Sequence, residues 1–187
     1  MTAMKGDNGK AAVKTISRAA VQALHDHVAH ISQGIIGAGE THQPIIALAE
    51  FDDQGGLKGV RLIGGLQEFF ADNAGKDQLA GIMRRLLALL GVDALILVAE
   101  AWALIRDASV PIDLAALAKS GGVKAQPDRV ECVTINITTK SDQYFSINPI
   151  IRKAGKAPRM EIGKLQGAGG ASPDGGEQSG RFALLSE

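Results

Sequence analysis

Apolar residues recur every three or four positions in two segments of the chain, which is the spacing of one face of an α-helix. The first segment runs from Ala11 to Ser32, and the glycine-rich stretch Gly34 to Gly39 is expected to end that helix. The second runs from Lys76 to Leu90 and is followed by Gly91, where a helix-terminating glycine belongs. The pattern predicts two principal amphipathic helices.

The strand candidates are shorter segments, rich in Val, Ile, Leu and Thr and bounded by turn residues. Ile45 to Phe51 and Leu57 to Ile63 flank a polar loop and predict a β-hairpin. Ala94 to Ile105 is an almost unbroken apolar run, which is typical of a central strand buried on both faces. Leu66 to Asn73 fits either a short helical turn or a strand end. The other expected elements are strands at Val130 to Ile137, Tyr144 to Ile151 and Met160 to Leu165, and a short helix at Asp113 to Lys119.

These elements predict an α+β fold, with a mainly antiparallel sheet of about five or six strands and two principal helices. Residues 1–10 are polar and predict a flexible N-terminus, and residues 11–166 hold all the predicted elements as a single domain. Residues 167–187 form a glycine-rich linker and an apolar C-terminal arm. The arm residues Phe182, Leu184 and Leu185 are expected to bind a partner as a strand or helical turn, to dock on the chain's own domain, or to form a frayed tail.

Charge and composition exclude several classes of protein. The 187 residues include 20 basic and 20 acidic side chains, which argues against nucleic-acid binding through a general excess of Lys and Arg. The single cysteine, Cys132, excludes an intramolecular disulfide and a cysteine-built zinc cluster. Asp93 and Glu100 interrupt the longest apolar stretch, so no membrane span is expected. We therefore expect a protein of the cytoplasm of a bacterial or infected host cell, or of a virion.

The histidines of the first helix form the pattern closest to a metal site. His27 and His30 are neighbours on one helix face, and Glu100 is a carboxylate in an apolar run, where it is costly unless paired. Two histidines and a third ligand could hold a zinc or manganese ion. The segment lacks the H-E-x-x-H pattern of metalloproteases, so solvated or boundary histidines are favoured. Glu100 is favoured as a structural ion pair with Arg106 or Arg129.

The sequence contains no other catalytic pattern. Its glycine-rich stretches do not join a strand to a helix as nucleotide-binding loops do, and it has no G-x-S-x-G motif. Cys132 lies in a predicted strand, where a small buried thiol is expected. We therefore assign no catalytic residue and expect no cofactor. Five basic residues between Arg152 and Lys164 could form a local nucleic-acid patch, but a solvated face is favoured.

Around its apolar strand the chain resembles a group of uncharacterised bacterial and prophage proteins. In that group an amphipathic helix leads to a strand ending in Ser/Ala-Glu-Ala-Trp, matched here by Ala99 to Trp102. A proline-containing loop and an Asp-Arg-x-Glu-x strand start follow, matched by Asp128 to Cys132. The similarity spans roughly Ile45 to Arg152 and implies a small α/β domain of bacterial or phage origin, with no implied activity.

The function expected from the sequence is protein binding. Neutral charge, missing catalytic motifs, exposed sheet edges and the apolar arm favour a non-enzymatic binding or assembly protein that acts on a protein partner or by self-association. A phage structural accessory protein or an inhibitor of a host complex would fit this description. The alternative is a metal-dependent hydrolase or nuclease that uses His27, His30 and a carboxylate such as Glu100 or Asp52.

Overall fold

The computed structural model describes residues 16–105 and 113–167. The strands are β1 (Ile45–Phe51), β2 (Leu57–Ile63), β3 (Ala94–Leu104), β4 (Arg129–Thr139), β5 (Gln143–Ile151), β6 (Arg159–Met160) and β7 (Gln166–Gly167), and the helices are α1 (Arg18–Gly37), α2 (Asn73–Leu90) and α3 (Leu114–Lys119). Six strands form a curled antiparallel sheet, a half-barrel, in the order β2-β1-β3-β4-β5-β6, and β7 pairs with another part of β5. The predicted α+β class, with a mainly antiparallel sheet and two principal helices, is confirmed.

The two principal helices cover opposite faces of the sheet. Successive side chains of a strand point to opposite sides, so alternate residues of one strand show which helix covers each face. From β3, Ile96 and Val98 belong to the core that includes α1, whereas Leu95 and Leu97 belong to the core that includes α2. β3 lies between β1 and β4, and its first six residues are buried. The prediction of a central strand buried on both faces is confirmed.

Helix α1 ends later than the sequence pattern predicted. The Ser17 hydroxyl accepts a hydrogen bond from the Ala20 N–H at 3.1 Å, so α1 starts at Arg18, and the predicted start at Ala11 lies outside the described residues. The helix also continues through Gly34, which was expected to end it. Ile36 is fully buried in the α1-side core, and this burial offsets the roughly 1 kcal/mol that a glycine costs inside a helix.

The predicted β1–β2 hairpin is confirmed, and its strands differ sharply in burial. Asp52 closes the loop, since its carboxylate accepts hydrogen bonds from the N–H groups of Gln54 at 2.9 Å and Gly56 at 2.7 Å. Five of the seven residues of β1 are buried, whereas six of the seven residues of β2 are exposed. β2 therefore forms one exposed edge of the sheet.

The other helices have the capping groups that their sequences indicate. Helix α2 begins after Asp72, whose carboxylate accepts the Gly75 N–H at 2.7 Å, and it ends at Gly91 in a left-handed conformation with φ +62°. The Asp113 carboxylate caps α3 by accepting the Ala116 N–H at 2.9 Å, as predicted. The segment before α2 that the sequence left open contains a 3-10 turn, Gln67–Phe70. No described helix is both long and apolar enough to cross a membrane.

The predicted C-terminal strand, Met160 to Leu165, is mostly wrong. Only Arg159–Met160 pairs with β5 in this region. Beyond it, Oδ1 of Asn148 accepts the Gly163 N–H at 2.9 Å, so a side chain takes the position of a ladder partner. Leu165 is nevertheless buried in the α1-side core, which explains why its segment has an apolar pattern without being a strand.

Candidate functional site

The structure does not bring the metal candidates of the sequence together. His27 and His30 are exposed on α1, and Nδ1 of His30 lies 2.6 Å from the carbonyl oxygen of Asp26. Glu100 lies on β3, and its Oε1 accepts the backbone N–H of His42 at 2.6 Å. Within residues 16–105 and 113–167, no group of three or more His, Cys, Asp or Glu side chains is arranged to hold a metal ion. Glu100 instead holds the segment that leads into β1.

The predicted ion pair between Glu100 and Arg129 is not formed. The Arg129 guanidinium lies over the ring of Trp102, with its central carbon 4.7 Å from the ring centroid. On the neighbouring strand, Glu131 accepts two hydrogen bonds from Arg152, at 2.7 and 2.8 Å. This bidentate pair lowers the pKa of Glu131. The bidentate ion pair on this part of the sheet thus joins Glu131 and Arg152, which the sequence analysis did not pair.

The predicted interaction arm, Phe182, Leu184 and Leu185, lies outside the described residues, and so does Arg106. The prediction that residues 167–187 form a linker and an arm therefore stays a prediction.

A buried chain of hydrogen bonds, which the sequence pattern did not reveal, links α1 to β5. Oδ1 of Asp26 lies 2.9 Å from Nδ1 of His25, and Nε2 of His25 lies 2.8 Å from Oγ of Ser146. Nδ2 of Asn148 donates to Ser146 Oγ at 3.0 Å and to the Val133 carbonyl at 2.9 Å. A neutral His25 with its proton on Nδ1 satisfies the whole chain, because it donates to Asp26 and accepts from the Ser146 hydroxyl.

The hydrogen-bonded order Asp-His-Ser is that of a hydrolase triad, but the burial of these side chains is not compatible with a catalytic role. Ser146 is 1% exposed, and His25 and Asn148 are 0% exposed. A catalytic serine must reach the substrate carbonyl, and this hydroxyl has no such access. At the outer end of the chain Asp26 is half exposed, and the hydrogen bond from His25 lowers its pKa. These hydrogen bonds join α1 to β5 inside the protein. Their sequence signal is a histidine, His25, within the apolar stripe of α1.

The basic residues near the C-terminal strands lie in two different places on the surface. Lys153, Lys156 and Arg159 line a shallow depression of about 280 Å³ beside β6, together with Glu161. All four of these residues are exposed. Arg152 lies outside the depression in its ion pair with β4. The basic stretch therefore forms a solvated surface with a shallow hollow.

The exposed edge strand β2 carries a row of apolar side chains. Leu57, Val60 and Leu62 lie opposite β1 residues of the α1-side core, so all three project from the α1 face of the sheet. Their exposed fractions are 44%, 39% and 72%. β1 is the one strand that pairs with β2 in the described part of the chain, so the backbone groups along the outer side of β2 have no ladder partner there.

Two of these features are closed to a partner and two are open. The His25–Ser146 chain and the Glu100–His42 contact are internal, whereas the basic depression and the β2 edge face solvent. Comparison of the chain with protein families, curated proteins and solved structures finds no match. Of the open features, β2 combines apolar side chains with an unpaired backbone, and it is the stronger candidate for a binding surface.

Proposed function

We propose that this protein is a non-enzymatic protein-binding or assembly protein whose partner adds an extended segment to β2. The observation that carries the proposal is the exposed apolar row Leu57, Val60 and Leu62 on an edge strand. Such an edge can accept a further strand, with backbone hydrogen bonds supplying affinity and alternate side chains supplying selectivity.

The gains available at β2 indicate weak and reversible binding. Complete burial of a Val or Leu side chain is worth roughly 1.5–3 kcal/mol, so the exposed fractions of the three residues correspond to roughly 2–5 kcal/mol. About three new ladder hydrogen bonds would add roughly 0.5–1.5 kcal/mol each. The association itself costs roughly 4–15 kcal/mol. β2 therefore suits a partner that makes further contacts or that is held nearby.

The charges of β2 define the segment that it would prefer. The strand contains Lys58 and Arg61 and no acidic residue. Arg61 is exposed and forms an ion pair at 2.9 Å with Glu50 of β1. A positive edge strand disfavours pairing with a second positive strand. The favoured partner segment alternates apolar and polar residues and includes an acidic side chain.

Affinity capture with three forms of the full-length protein tests the proposal. The forms are the unaltered protein, Leu62→Asp on β2, and Leu89→Asp as a control, since Leu89 is an equally exposed leucine at the far end of α2. A carboxylate at position 62 places a charge where an added strand would bury an apolar residue, and the folded protein tolerates it because Leu62 is 72% exposed. We expect partners that the unaltered protein and Leu89→Asp both capture and that Leu62→Asp loses. Identical captured sets for all three forms would exclude β2 as the binding surface.

A further inference from the structure

The last described residue, Gly167, lies level with a residue of β2 across the sheet. Gly167 of β7 lies opposite Tyr144, and the register continues from strand to strand through Ile137, Ile96 and Ala47 to Leu62. These six residues form one row across the sheet. Five strand spacings of about 4.8 Å therefore separate Gly167 from Leu62, or roughly 24 Å along the sheet. The curl of the sheet makes the straight-line distance shorter.

The chain beyond Gly167 is long enough to return to β2. Fourteen residues, 168–181, precede Phe182, and they include five glycines and no large apolar residue. A chain of this length and composition has a root-mean-square span of roughly 20 Å and a maximum span of roughly 50 Å. Because its typical span matches the distance to be covered, the effective concentration of the arm at β2 is near its maximum, on the order of millimolar.

The arm also matches the side-chain spacing of β2. Phe182 and Leu184 are two residues apart, so they point to the same side of an extended segment. Val60 and Leu62 have the same spacing and project together from the α1 face of β2. A strand formed by residues 181–187 beside β2 can therefore place Phe182 and Leu184 against the exposed row.

We propose that residues 181–187 of the same chain dock on β2 as an added edge strand and shield it until a partner displaces them. A weak edge site is filled by a tethered segment more readily than by a free one, because the tether removes most of the association cost. A second copy of β2 is the less suitable occupant, since pairing two such strands brings Lys58 and Arg61 of both copies along one edge. This inference depends on the proposed use of β2 as a strand-accepting edge.

Hydrogen exchange of the full-length protein tests the docking. Three forms are compared: the unaltered protein, the double variant Phe182→Asp/Leu184→Asp, and the control Ser172→Asp/Ser179→Asp, which adds the same charge in the linker, outside the docking segment. Docking protects β2 amides that are not bonded to β1. We therefore expect these amides within residues 57–63 to exchange at least tenfold faster in the double variant and at an unchanged rate in the control, with every form monomeric by light scattering.

Two results would overturn the inference. One is equal exchange of β2 in the unaltered protein and the double variant, which would mean that the arm does not cover the edge. The other is a dimeric mass with β2 protection that rises with protein concentration, which would make a second copy the occupant. Affinity capture separates this failure from that of the proposed function. If β2 exchanges equally in the unaltered protein and the double variant, partners that Leu62→Asp loses would still identify β2 as a binding edge, one without a docked arm.

Discussion

Replacing Ser146 with alanine removes one hydroxyl from the interior and tests whether the buried hydrogen-bond chain stabilises the fold. His25 is then left with an Nε2 that has lost its partner, in a site where the imidazole is 0% exposed. Asn148 keeps its hydrogen bond to the Val133 carbonyl, so the loss falls mainly on the histidine. An unsatisfied buried polar group costs about 1–3 kcal/mol, and we expect the free energy of unfolding to fall by that amount.

A double-mutant cycle with His25→Leu makes the test specific to the pair. Removing both polar groups leaves neither without a partner, so the double variant should lose less than the two single variants combined, with a coupling of about 1 kcal/mol or more. Urea unfolding at pH 7 measures all three, and Ser141→Ala, in an exposed hairpin loop, is a control expected to change stability by less than about 0.5 kcal/mol. The reasoning is refuted if Ser146→Ala is no more destabilising than the control, or if the cycle is additive.

Three further predictions concern other parts of the structure. The pKa of Asp26 is lowered by its hydrogen bond from His25, so its carboxylate stabilises the fold above the ordinary value of 3.8 and loses this effect as the pH falls through the lower folded value. Asp26→Asn should therefore lower the Tm at pH 7, and this loss should shrink as the pH falls below 3.8; a loss that does not change with pH would contradict this. A Cβ at Gly163 would overlap the Ile147 carbonyl oxygen, whereas one at Gly34 would meet nothing within 4 Å. In thermal or urea unfolding, Gly163→Ala should cost about 1–3 kcal/mol and Gly34→Ala should gain about 0.5–1 kcal/mol, and similar effects at both positions would be evidence against the close approach at residue 163. Burial raises the pKa of Cys132 to about 11, so iodoacetamide at about pH 8 should label the native protein far more slowly than the urea-unfolded protein, and equal rates would disprove the burial.

The sequence predicted best those elements whose burial follows from a local pattern. β3 is apolar at nearly every position because both of its faces are covered, and α2 ends at Gly91 because that residue adopts a left-handed conformation. The errors arise where a distant contact overrides the local signal. Burial of Ile36 extends α1 past Gly34, and Asn148 draws the chain out of the ladder at Gly163.

The sequence predicts the buried hydrogen bonds and the candidate binding surface less well than it predicts the fold. His25 and Ser146 are 121 residues apart in the chain, and their contact follows from the way α1 packs on the sheet, which no local spacing encodes. The sequence indicates only in part which strand forms the exposed edge. β1 and β2 both read as strands, but Lys58 and Arg61 distinguish β2 as a strand that faces water. Which strands are neighbours, and hence which one is left at the edge, depends on the long-range pairing of β1 with β3.

The central position of β3 has a consequence for the order in which the chain folds. β1 with β2 and β4 with β5 are hairpins closed by short loops, and such units form within microseconds. β3 joins them, because it pairs with β1 on one side and through eleven consecutive residue pairs with β4 on the other. Both pairings close long stretches of chain, so we expect the insertion of β3 between the two hairpins to set the folding rate. Trimming Ile96 to valine should therefore slow refolding, and so should changes that weaken either hairpin loop, because both hairpins are already formed when β3 inserts.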